Sequence, residues 1–432
     1  MFQTFKNAWK VPDLKAKLMF TLIIILLYRL GAVIPVPFVD SEALAALFGS
    51  SSGGSDLFSY FNILSGNAFS QATLFALSVS PYITASIVMQ LLTIAIEPLE
   101  RLQKSGPEGQ KKIAQITRFV TIAIGAFMAI GYYVTLSRGT EDGPILLNVS
   151  WFTALVIILC FIAGSAIIMW LAEKINDNGI GNGISILLFA NIVSRGPNMA
   201  LSAFTMIKND MLSIITVVII IAVMALSIYF IVFMTNSERR LPVQYAKKQV
   251  GRKIYGGMNT HLPIKLNMSG VMPIIFAQSI VALPATLGLI FPTNSDGFWK
   301  NFLNLFSSSS ALYPILTFVL IIAFAYFYLT ISFNPIEVAN NLQKNGGTIL
   351  GYRPGKPTSD YITKVLNRVT LIGALFLGIV AVFPFLIRIF DRNMAGFVFG
   401  GTSILIVVGV VLETTREIES QMTMRHYKGF LE

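Results

Sequence analysis

The sequence has few charged residues, one cysteine and two histidines. Charged residues make up 12% of its 432 residues, whereas hydrophobic residues make up 54%. The lone Cys160 excludes an internal disulfide, and no Cys/His cluster has the spacing of a metal site. With a mean hydropathy of +0.70, so little charge excludes an ordinary soluble domain and indicates a protein that crosses a membrane many times.

The chain also lacks the motifs of a nucleotide-binding site or a catalytic centre. Gly355 and Lys356 match part of a phosphate-binding loop, but Pro357 follows the lysine where the motif needs Ser or Thr. The glycine-rich run 179–183 is not followed by the last glycine of the dinucleotide fingerprint. No nucleophile is paired with a base by a recognisable spacing. We therefore expect no enzyme activity, no cofactor and no metal.

Ten apolar segments are long enough to cross a bilayer as α-helices, which takes about 17 to 25 residues each. We predict spans at Leu18–Pro35, Ala72–Ile96, Phe119–Leu136, Trp151–Ala172, Ile184–Phe204, Met211–Met234, Val271–Phe291, Leu312–Phe333, Val369–Ile387 and Phe397–Leu412. This pattern predicts an all-α polytopic membrane protein.

The distribution of Lys and Arg predicts the orientation. An even number of spans puts both termini on one side, and that side, with the loops after even-numbered spans, carries 25 of the 32 Lys and Arg residues. The other loops carry 6 when Arg195, near the outer end of the fifth span, is counted with them, and Arg29 lies within the first span. Because positively charged loops stay in the cytoplasm, we predict that both termini are cytoplasmic.

The predicted spans hold neutral polar side chains and almost no charge. Ion-coupled transporters usually bury carboxylates or histidines near the middle of the membrane, and the predicted spans contain neither. Glu173 and Glu413 fall at the cytoplasmic ends of spans. Arg29 lies near the outer end of its span, where we expect its side chain to extend to the headgroups. A solute transporter or a lipid-handling protein is therefore the weaker alternative.

The loop between the sixth and seventh predicted spans, residues 236–267, is rich in Lys and Arg. A basic loop beside a membrane often only rests on anionic lipid and fixes the topology. Turn signals at 255–257 and 262–263 instead favour an ordered projection that binds a partner. The net charge of +11 suits anionic lipid or an acidic protein, and the position of the charges beside the membrane argues against nucleic acid.

The segment 50–71 lies on the predicted outer side, between the first two spans. Ser51–Gly54 indicates a flexible hinge, and Asp56–Leu64 indicates an amphipathic helix too short to cross the membrane. One interpretation is a helix that lies in the headgroups. The other is a re-entrant stopper, because non-helical backbone at membrane depth is tolerated only where protein or water surrounds it.

Several dense motifs occur in order along the chain. The longest is the run 75–92, FALSVSPYITASIVMQLL, and a second joins Trp170–Glu173 to Gly179–Ser185. Shorter motifs are Tyr28–Gly31 with Ile34–Pro37, Thr260–Pro263, Gly351–Gly355 and Phe399–Ser403. Together they resemble the motifs of the SecY family of protein-translocase channels over essentially the whole chain.

This resemblance implies a fold of ten transmembrane helices in two inverted five-helix halves around a central hourglass pore. The N-terminal half would be residues 1–205, with a plug at about 56–67. The C-terminal half would be residues 206–432, with cytoplasmic loops at 235–268 and 334–365 and a C-terminal tail. Spans 2 and 3 on one side, and 7 and 8 on the other, would form a seam that opens toward lipid.

The resemblance also implies four sets of site residues. The apolar ring of the pore would be Val79, Ile83, Ile184, Leu188, Ile275 and Ile406. The plug would contain Asp56, Leu57, Phe58, Tyr60, Phe61, Ile63 and Leu64. The lateral gate would contain Thr84, Ser86, Gln90, Gln278 and Ser279. A motor or ribosome would dock on Arg239, Arg240, Lys247, Lys248, Arg252, Lys253 and Arg353. The ring of the family is usually rich in isoleucine, so Val79 and Leu188 depart from its pattern.

The function implied is that of a protein-conducting channel subunit in the bacterial cytoplasmic membrane. Unfolded secretory polypeptides with signal peptides would pass through it, and hydrophobic segments would leave sideways into lipid. The sequence contains no motor, so the resemblance implies the SecA ATPase or a ribosome as the driving partner. It also implies the small membrane subunits SecE and SecG, with anionic lipid against the basic loops and no nucleic-acid substrate.

Overall fold

The computed structural model describes residues 6, 8–40, 43–44, 62, 65–137, 145–147, 150–208, 214–245, 248–250, 253–255, 259–290, 306, 310, 312–390 and 401–428. The chain forms two compact units. Unit 1 comprises Met1–Ser213, Gln278–Pro314 and Val410–Glu432, and unit 2 comprises Ile214–Ala277 and Ile315–Gly409. The division into halves at residues 205 and 206 stays a prediction.

Unit 1 is built mainly from helices. They are α1 (Pro12–Gly31), α2 (Ser80–Ala95), α3 (Glu97–Lys104), α4 (Pro107–Ser137), α5 (Trp151–Asn178), α6 (Gly183–Ser194) and α7 (Gly196–Lys208). Helices α1 and α2 each have a proline in the first turn, where its missing amide hydrogen costs no intrahelical bond. The pair α2 and α3 bends by 100° at Ile96, whose backbone is extended.

The chain enters α2 through a buried segment without regular helix, residues 66–79, which we call the return segment. Its apolar side chains pack with those of α4 and α5 in one cluster, which includes Phe69, Ala72, Ala76, Leu77, Tyr132, Leu136, Ile157 and Phe161. The predicted start of the second span at Ala72 is therefore wrong as a helix start, since α2 begins at Ser80. Ala72 and Ser78 have φ values of 44° and 52°, which no right-handed helix accommodates.

Unit 2 combines helices with short strands. Its helices are α8 (Ile214–Asn236), the first part of α9 (Met272–Ile290), α10 (Leu312–Ser332) from Ile315 on, α11 (Pro335–Lys344), α12 (Lys356–Phe390) and the first part of α13 (Gly401–Lys428). Its strands are β1 (Glu238–Tyr245), β2 (Lys248–Val250), β3 (Lys253–Tyr255), β4 (Asn259–Lys265) and β5 (Gly347–Ile349). The fold is thus helical with a minor strand component that hydropathy does not predict.

A three-stranded antiparallel sheet of order β4-β1-β5 joins the two basic loops of unit 2. Leu241 of β1 pairs with Leu262 of β4, and Val243 of β1 pairs with Ile349 of β5. Its buried side chains pack against the end of α10 and the start of α12, in a cluster of Leu241, Val243, Ile264, Leu329, Ile349, Ile362, Leu366 and Val369. The predicted ordered projection is present, and β5 of the second loop completes it. We call these three strands the sheet domain.

Five helices in the described ranges are long and apolar enough to cross a membrane, and the bent pair α2 and α3 adds a sixth if it counts as one span. The five are Pro107–Ser137, Trp151–Asn178, Val217–Asn236, Leu312–Lys344, which takes in α10 and α11 together, and Lys356–Phe383. The polytopic helical fold is therefore confirmed. The count of ten and the inverted relation of the halves stay predictions.

Several helices extend beyond the predicted spans. Helix α12 begins at Lys356 rather than Val369, and α13 continues to Lys428 rather than ending at Leu412. The predicted fifth span contains two helices, α6 and α7, which are separated at Arg195. Hydropathy detects only the apolar part of a helix, so it misses polar turns that continue the same helix beyond the bilayer.

Candidate functional site

Four of the six predicted ring residues lie at the starts of two helices in unit 1. Val79 precedes α2, and the Ile83 amide donates to the Val79 carbonyl oxygen at 3.0 Å. Ile184 and Leu188 have the same four-residue spacing on α6, so each pair lies on one helix face. Val79, Ile83 and Leu188 are buried, and Ile184 is half-buried.

The start of α6 is fixed by the glycine-rich turn before it. The side-chain oxygen of Asn182 accepts hydrogen bonds from the amides of Ile184 at 3.1 Å and Ser185 at 3.4 Å, and so caps the helix. A Cβ atom on Gly183 would lie 2.0 Å from the carbonyl oxygen of Ala172, so only glycine fits where α6 meets α5. This cap and this close approach together determine where the two ring residues of α6 lie.

The other two predicted ring residues, Ile275 of α9 and Ile406 of α13, lie in unit 2. Both side chains are buried. Helices α9 and α13 approach each other closely where a Cβ atom on Gly409 would lie 2.1 Å from a methyl carbon of Val271. Burial is common to a pore ring and to a helix core, so the ring assignment stays a prediction.

The predicted gate residues lie on α2 and α9. Thr84 and Gln278 are buried, whereas Ser86, Gln90 and Ser279 are half-buried. In the described part of the chain, Oε1 of Gln90 is a buried acceptor without a hydrogen-bond donor. A buried polar atom in this state is uncommon and costs free energy. The seam itself stays a prediction.

Several predicted site residues lie outside the described residues. All seven plug residues are among them: Asp56, Leu57, Phe58, Tyr60, Phe61, Ile63 and Leu64. The same holds for Lys247 and Arg252 of the docking set. Lys248 begins β2 and Lys253 begins β3. The plug therefore stays a prediction. The remaining three residues of the docking set are arginines whose positions the structure describes.

Two of these arginines lie on β1. Arg239 and Arg240 are exposed, and Nε of Arg240 pairs with a carboxylate oxygen of Glu238 at 2.7 Å. Exposed pairs of this kind are weak, so Arg240 remains available to another carboxylate. The antiparallel register of Val243 with Ile349 takes the chain out of β5 toward the end of β1 that carries both arginines.

The third arginine, Arg353, lies on a well-anchored turn between β5 and α12. Its carbonyl oxygen accepts a hydrogen bond from Oγ1 of Thr358 at 2.8 Å. Gly355 has a φ of 98°, which favours glycine. The ring of Tyr352 stacks on that of Tyr361 with 4.1 Å between centroids. The backbone is thus held while the Arg353 side chain is exposed, an arrangement that suits recognition of a partner.

Two polar side chains inside predicted spans make contacts that hydropathy does not predict. Arg29 does not extend to the headgroups as expected, because its guanidinium donates to the Ala190 carbonyl oxygen and the Ser194 hydroxyl at the end of α6. Asn191 is fully buried, and its amide donates to the Tyr28 hydroxyl at 2.7 Å. The sequence feature that could have pointed to Asn191 is its carboxamide side chain inside the apolar run 184–193.

A charged side chain of α4 pairs with one of α5. Arg118 and Glu173 form an ion pair at 2.7 Å. Among the residues that the structure describes, no group of three or more His, Cys, Asp or Glu side chains could hold a metal ion. That the protein uses neither metal nor cofactor stays an expectation.

The fold and these sites define a polytopic helical membrane protein that carries a basic sheet domain on the loops between its helices. The chain belongs to the SecY family, whose model matches residues 73–415. It is 44% identical over 442 residues to the protein translocase subunit SecY of Streptomyces coelicolor, with 100% of both chains covered. It is 40% identical to the subunit of the same name from Thermotoga maritima, with 100% of this chain and 98% of the relative covered.

Solved structures of channel proteins share the fold. In one of them, the plug domain of the SecY protein stabilises the closed state of the translocation channel and maintains a membrane seal. Its TM-score is 0.68 at 20% identity, with 94% of this chain and 92% of that chain covered. Another is a canine channel from the endoplasmic reticulum in a ribosome–channel complex, with a TM-score of 0.63 at 18% identity and the same shares covered. At these identities the likeness shows the fold alone.

Proposed function

We propose that this chain is the channel subunit of a protein translocase, which passes unfolded secretory polypeptides across a membrane and releases hydrophobic segments into lipid. The single observation that carries the proposal is the full-length alignment, at 44% identity, with a relative that is named a translocase subunit. The chain itself performs no catalysis in this account. Its task is to supply a path whose opening other molecules drive.

The apolar ring explains how such a path can stay sealed. A constriction of side chains such as Ile83 and Leu188 dewets, so water and small ions are held back. A passing polypeptide meets no fixed charge there and can slide. Four of the proposed ring residues lie in unit 1, and the other two, Ile275 and Ile406, lie in unit 2.

The plug and the gate determine whether a client segment crosses the membrane or enters lipid. In the proposal the plug at about 56–67 occludes the outer funnel at rest, in line with the closed state that the plug domain stabilises in the SecY structural neighbour. A hydrophobic client segment leaves between α2 and α9, beside Thr84, Gln90 and Ser279. Its transfer into lipid gains about 25 cal/mol per Å² of apolar area removed from water. Hydrophilic segments gain no free energy from entering lipid, so they continue outward.

The sheet domain supplies the docking surface for the driving partner. Because β5 pairs with β1, the loop that carries Arg353 and the loop that carries Arg239 and Arg240 form one body. Such a basic surface suits the SecA ATPase or a ribosome, and a structural neighbour was solved in a ribosome–channel complex. We also propose SecE and SecG as membrane partners, and anionic lipid beside the basic loops.

The excess of Lys and Arg on one side supports a placement in the cytoplasmic membrane with both termini and the sheet domain in the cytoplasm. This orientation puts Arg353 on the side where a motor binds. It puts the segment 50–71 on the opposite side, where a plug can close the outer funnel.

Reconstitution tests the proposal. Vesicles that hold this chain with SecE, SecG and SecA should protect a signal-bearing precursor from external protease when ATP is added. Protection should require the chain, ATP and the signal peptide, because the motor must push an engaged client through a closed path. Matched vesicles that lack the chain, and the same precursor without its signal peptide, are the controls. Absence of protection, with all partner subunits shown to be assembled, would contradict the proposal and favour a solute transporter.

A further inference from the structure

Unit 1 contains a group of buried polar contacts at the end of α6 that belongs to none of the four predicted sites. Arg29, near the end of α1, contacts the last turn of α6. Asn191, in that turn, contacts both α1 and the return segment. Polar and charged side chains are costly inside a membrane span, and those that occur there usually have a function.

The Arg29 guanidinium binds the carbonyl end of α6. It donates to the Ala190 carbonyl oxygen and to the Ser194 hydroxyl, which in turn donates to the Asn191 carbonyl oxygen at 2.7 Å. The last turn of a helix has carbonyls without intrahelical partners and favours positive charge, so this end of α6 stabilises the guanidinium. Across the described ranges, the ion pairs found do not include Arg29. Its hydrogen bonds go to oxygen atoms of α6, and its Cζ also lies 5.8 Å from the centroid of the Tyr28 ring.

The guanidinium also lies against the return segment. Gly66 has a φ of 65°, and a Cβ atom there would lie 3.0 Å from Nη2 of Arg29 and 3.1 Å from the Asn191 carbonyl oxygen. The next residue is tied back to the described end of the plug region, because the Asn67 amide donates to the Asn62 carbonyl oxygen at 3.0 Å. Arg29 is thus in contact with α6 and with the base of the predicted plug at the same time.

Asn191 links the two helices that begin with predicted ring residues. Its Nδ2 donates to the Tyr28 hydroxyl at 2.7 Å and to the Ser78 hydroxyl at 3.1 Å. Ser78 directly precedes Val79, and Asn191 follows Leu188 by three residues on α6. One buried amide therefore fixes the start of α2 relative to the ring face of α6.

The return segment requires anchors because part of its backbone is strained. Asn67, Ala72 and Ser78 have φ values of 74°, 44° and 52°. Such a backbone conformation is unfavourable for a residue other than glycine and persists only where its surroundings over-determine it. Tyr132 provides another anchor through its hydroxyl, which donates to the Phe69 carbonyl oxygen at 2.5 Å. Removal of an anchor allows the segment to relax.

We propose that Arg29 and Asn191 form a polar latch that holds the channel closed at rest by fixing the return segment to α6. The latch rests on the proposed channel function. The return segment connects the predicted plug to α2, so its position determines how Val79 and Ile83 meet the ring residues of α6. Arg29 and Asn191 are positioning residues, because they hold the ring and the plug rather than contact the client.

The resting leak of the channel tests the latch. The full chain, assembled with SecE and SecG in vesicles loaded with a chloride-sensitive dye, should be tight without a motor. We expect Asn191→Leu and Arg29→Met each to raise the chloride leak about tenfold, the change that the loss of a buried hydrogen bond to a polar or charged group produces in an equilibrium. Both variants should still translocate a signal-bearing precursor when SecA and ATP are added. Arg29→Lys should restore much of the seal, because it keeps a positive donor at the end of α6.

Arg195→Met is the matched control. Arg195 follows α6 directly and loses the same charge. Among the described residues, no hydrogen bond or ion pair joins its side chain to the return segment, so its leak should equal that of the unchanged protein. Unchanged leak in both latch variants would overturn the latch. So would a leak that Arg29→Lys does not reduce, or one accompanied by loss of translocation, since misfolding alone produces that combination.

The same preparation separates the latch from the channel function. If the unchanged protein translocates the precursor and the latch variants do not leak, the latch fails while the channel function stands. If the unchanged protein does not translocate, the channel function fails, and the latch fails with it because it rests on that function.

Discussion

Arg353→Glu should stop motor-driven export while the chain remains folded and inserted in the membrane. Arg353 projects from a turn whose backbone is held by Thr358 and by the stacked rings of Tyr352 and Tyr361. The substitution should therefore leave the turn in place and reverse only the charge that a partner meets. Reversal of a charge at an interface costs about 2–5 kcal/mol, so the ATP-driven export rate should fall by at least roughly tenfold.

Lys356→Glu is the matched control for this prediction. Lys356 is exposed, lies three residues further on and undergoes the same change of charge. It begins α12, where a carboxylate is favourable, so the variant should fold and export normally. Normal export by Arg353→Glu would contradict the docking role. Equal loss in both variants would mean that overall charge matters and that Arg353 has no specific role.

Ile275→Asn should loosen the resting seal and admit precursors with defective signal sequences. Ile275 is buried on α9, and a carboxamide in an apolar ring would bind water where the ring must stay dry. Burial of an unpaired polar group also costs about 1–3 kcal/mol, which lowers the stability of the closed state relative to an open one. We expect export of a precursor with a crippled signal sequence to rise by on the order of tenfold.

The control for the ring is Leu283→Asn on the same helix. Leu283 is exposed whereas Ile275 is buried, so the change adds the same polar group to the same helix outside the predicted ring. Its selectivity for signal sequences should match that of the unchanged protein. Equal selectivity of Ile275→Asn and the unchanged protein would show that Ile275 belongs to a helix core and not to the ring.

Hydropathy predicts a helical polytopic fold because a bilayer imposes a length and an apolar composition on each span. They do not predict helix starts that depend on packing. Ser78 lies in an apolar stretch typical of a helix, yet its φ is 52° because the return segment is held by contacts distant in sequence. The sequence predicts an ordered projection at residues 236–267, but it does not predict the strand pairing of the sheet domain, for a related reason. β5 has only three residues, and its partner β1 lies about a hundred residues earlier in the chain.

Some residues of the candidate site can likewise be predicted from the sequence, and others cannot. Arg353 can be selected from a motif, and the structure then explains how its turn is held. Asn191 belongs to no motif, and only its partners, Tyr28 and Ser78, distinguish it from an ordinary polar residue in a span. The sequence also does not predict which group Arg29 contacts, because an arginine near the end of a span can reach the headgroups or a neighbouring helix equally well.

The measurement that tests the central claim most directly is photo-crosslinking of a precursor stalled during export. A photoreactive amino acid at Ile83 or Ile184 should capture a hydrophilic part of the precursor, because both side chains would face the path. The same probe at Phe119, which is 73% exposed on α4, should capture lipid and not the precursor. Crosslinks confined to the two ring positions would establish that polypeptide passes through this chain. Crosslinks at Phe119 alone, or at none of the three while export proceeds, would contradict it.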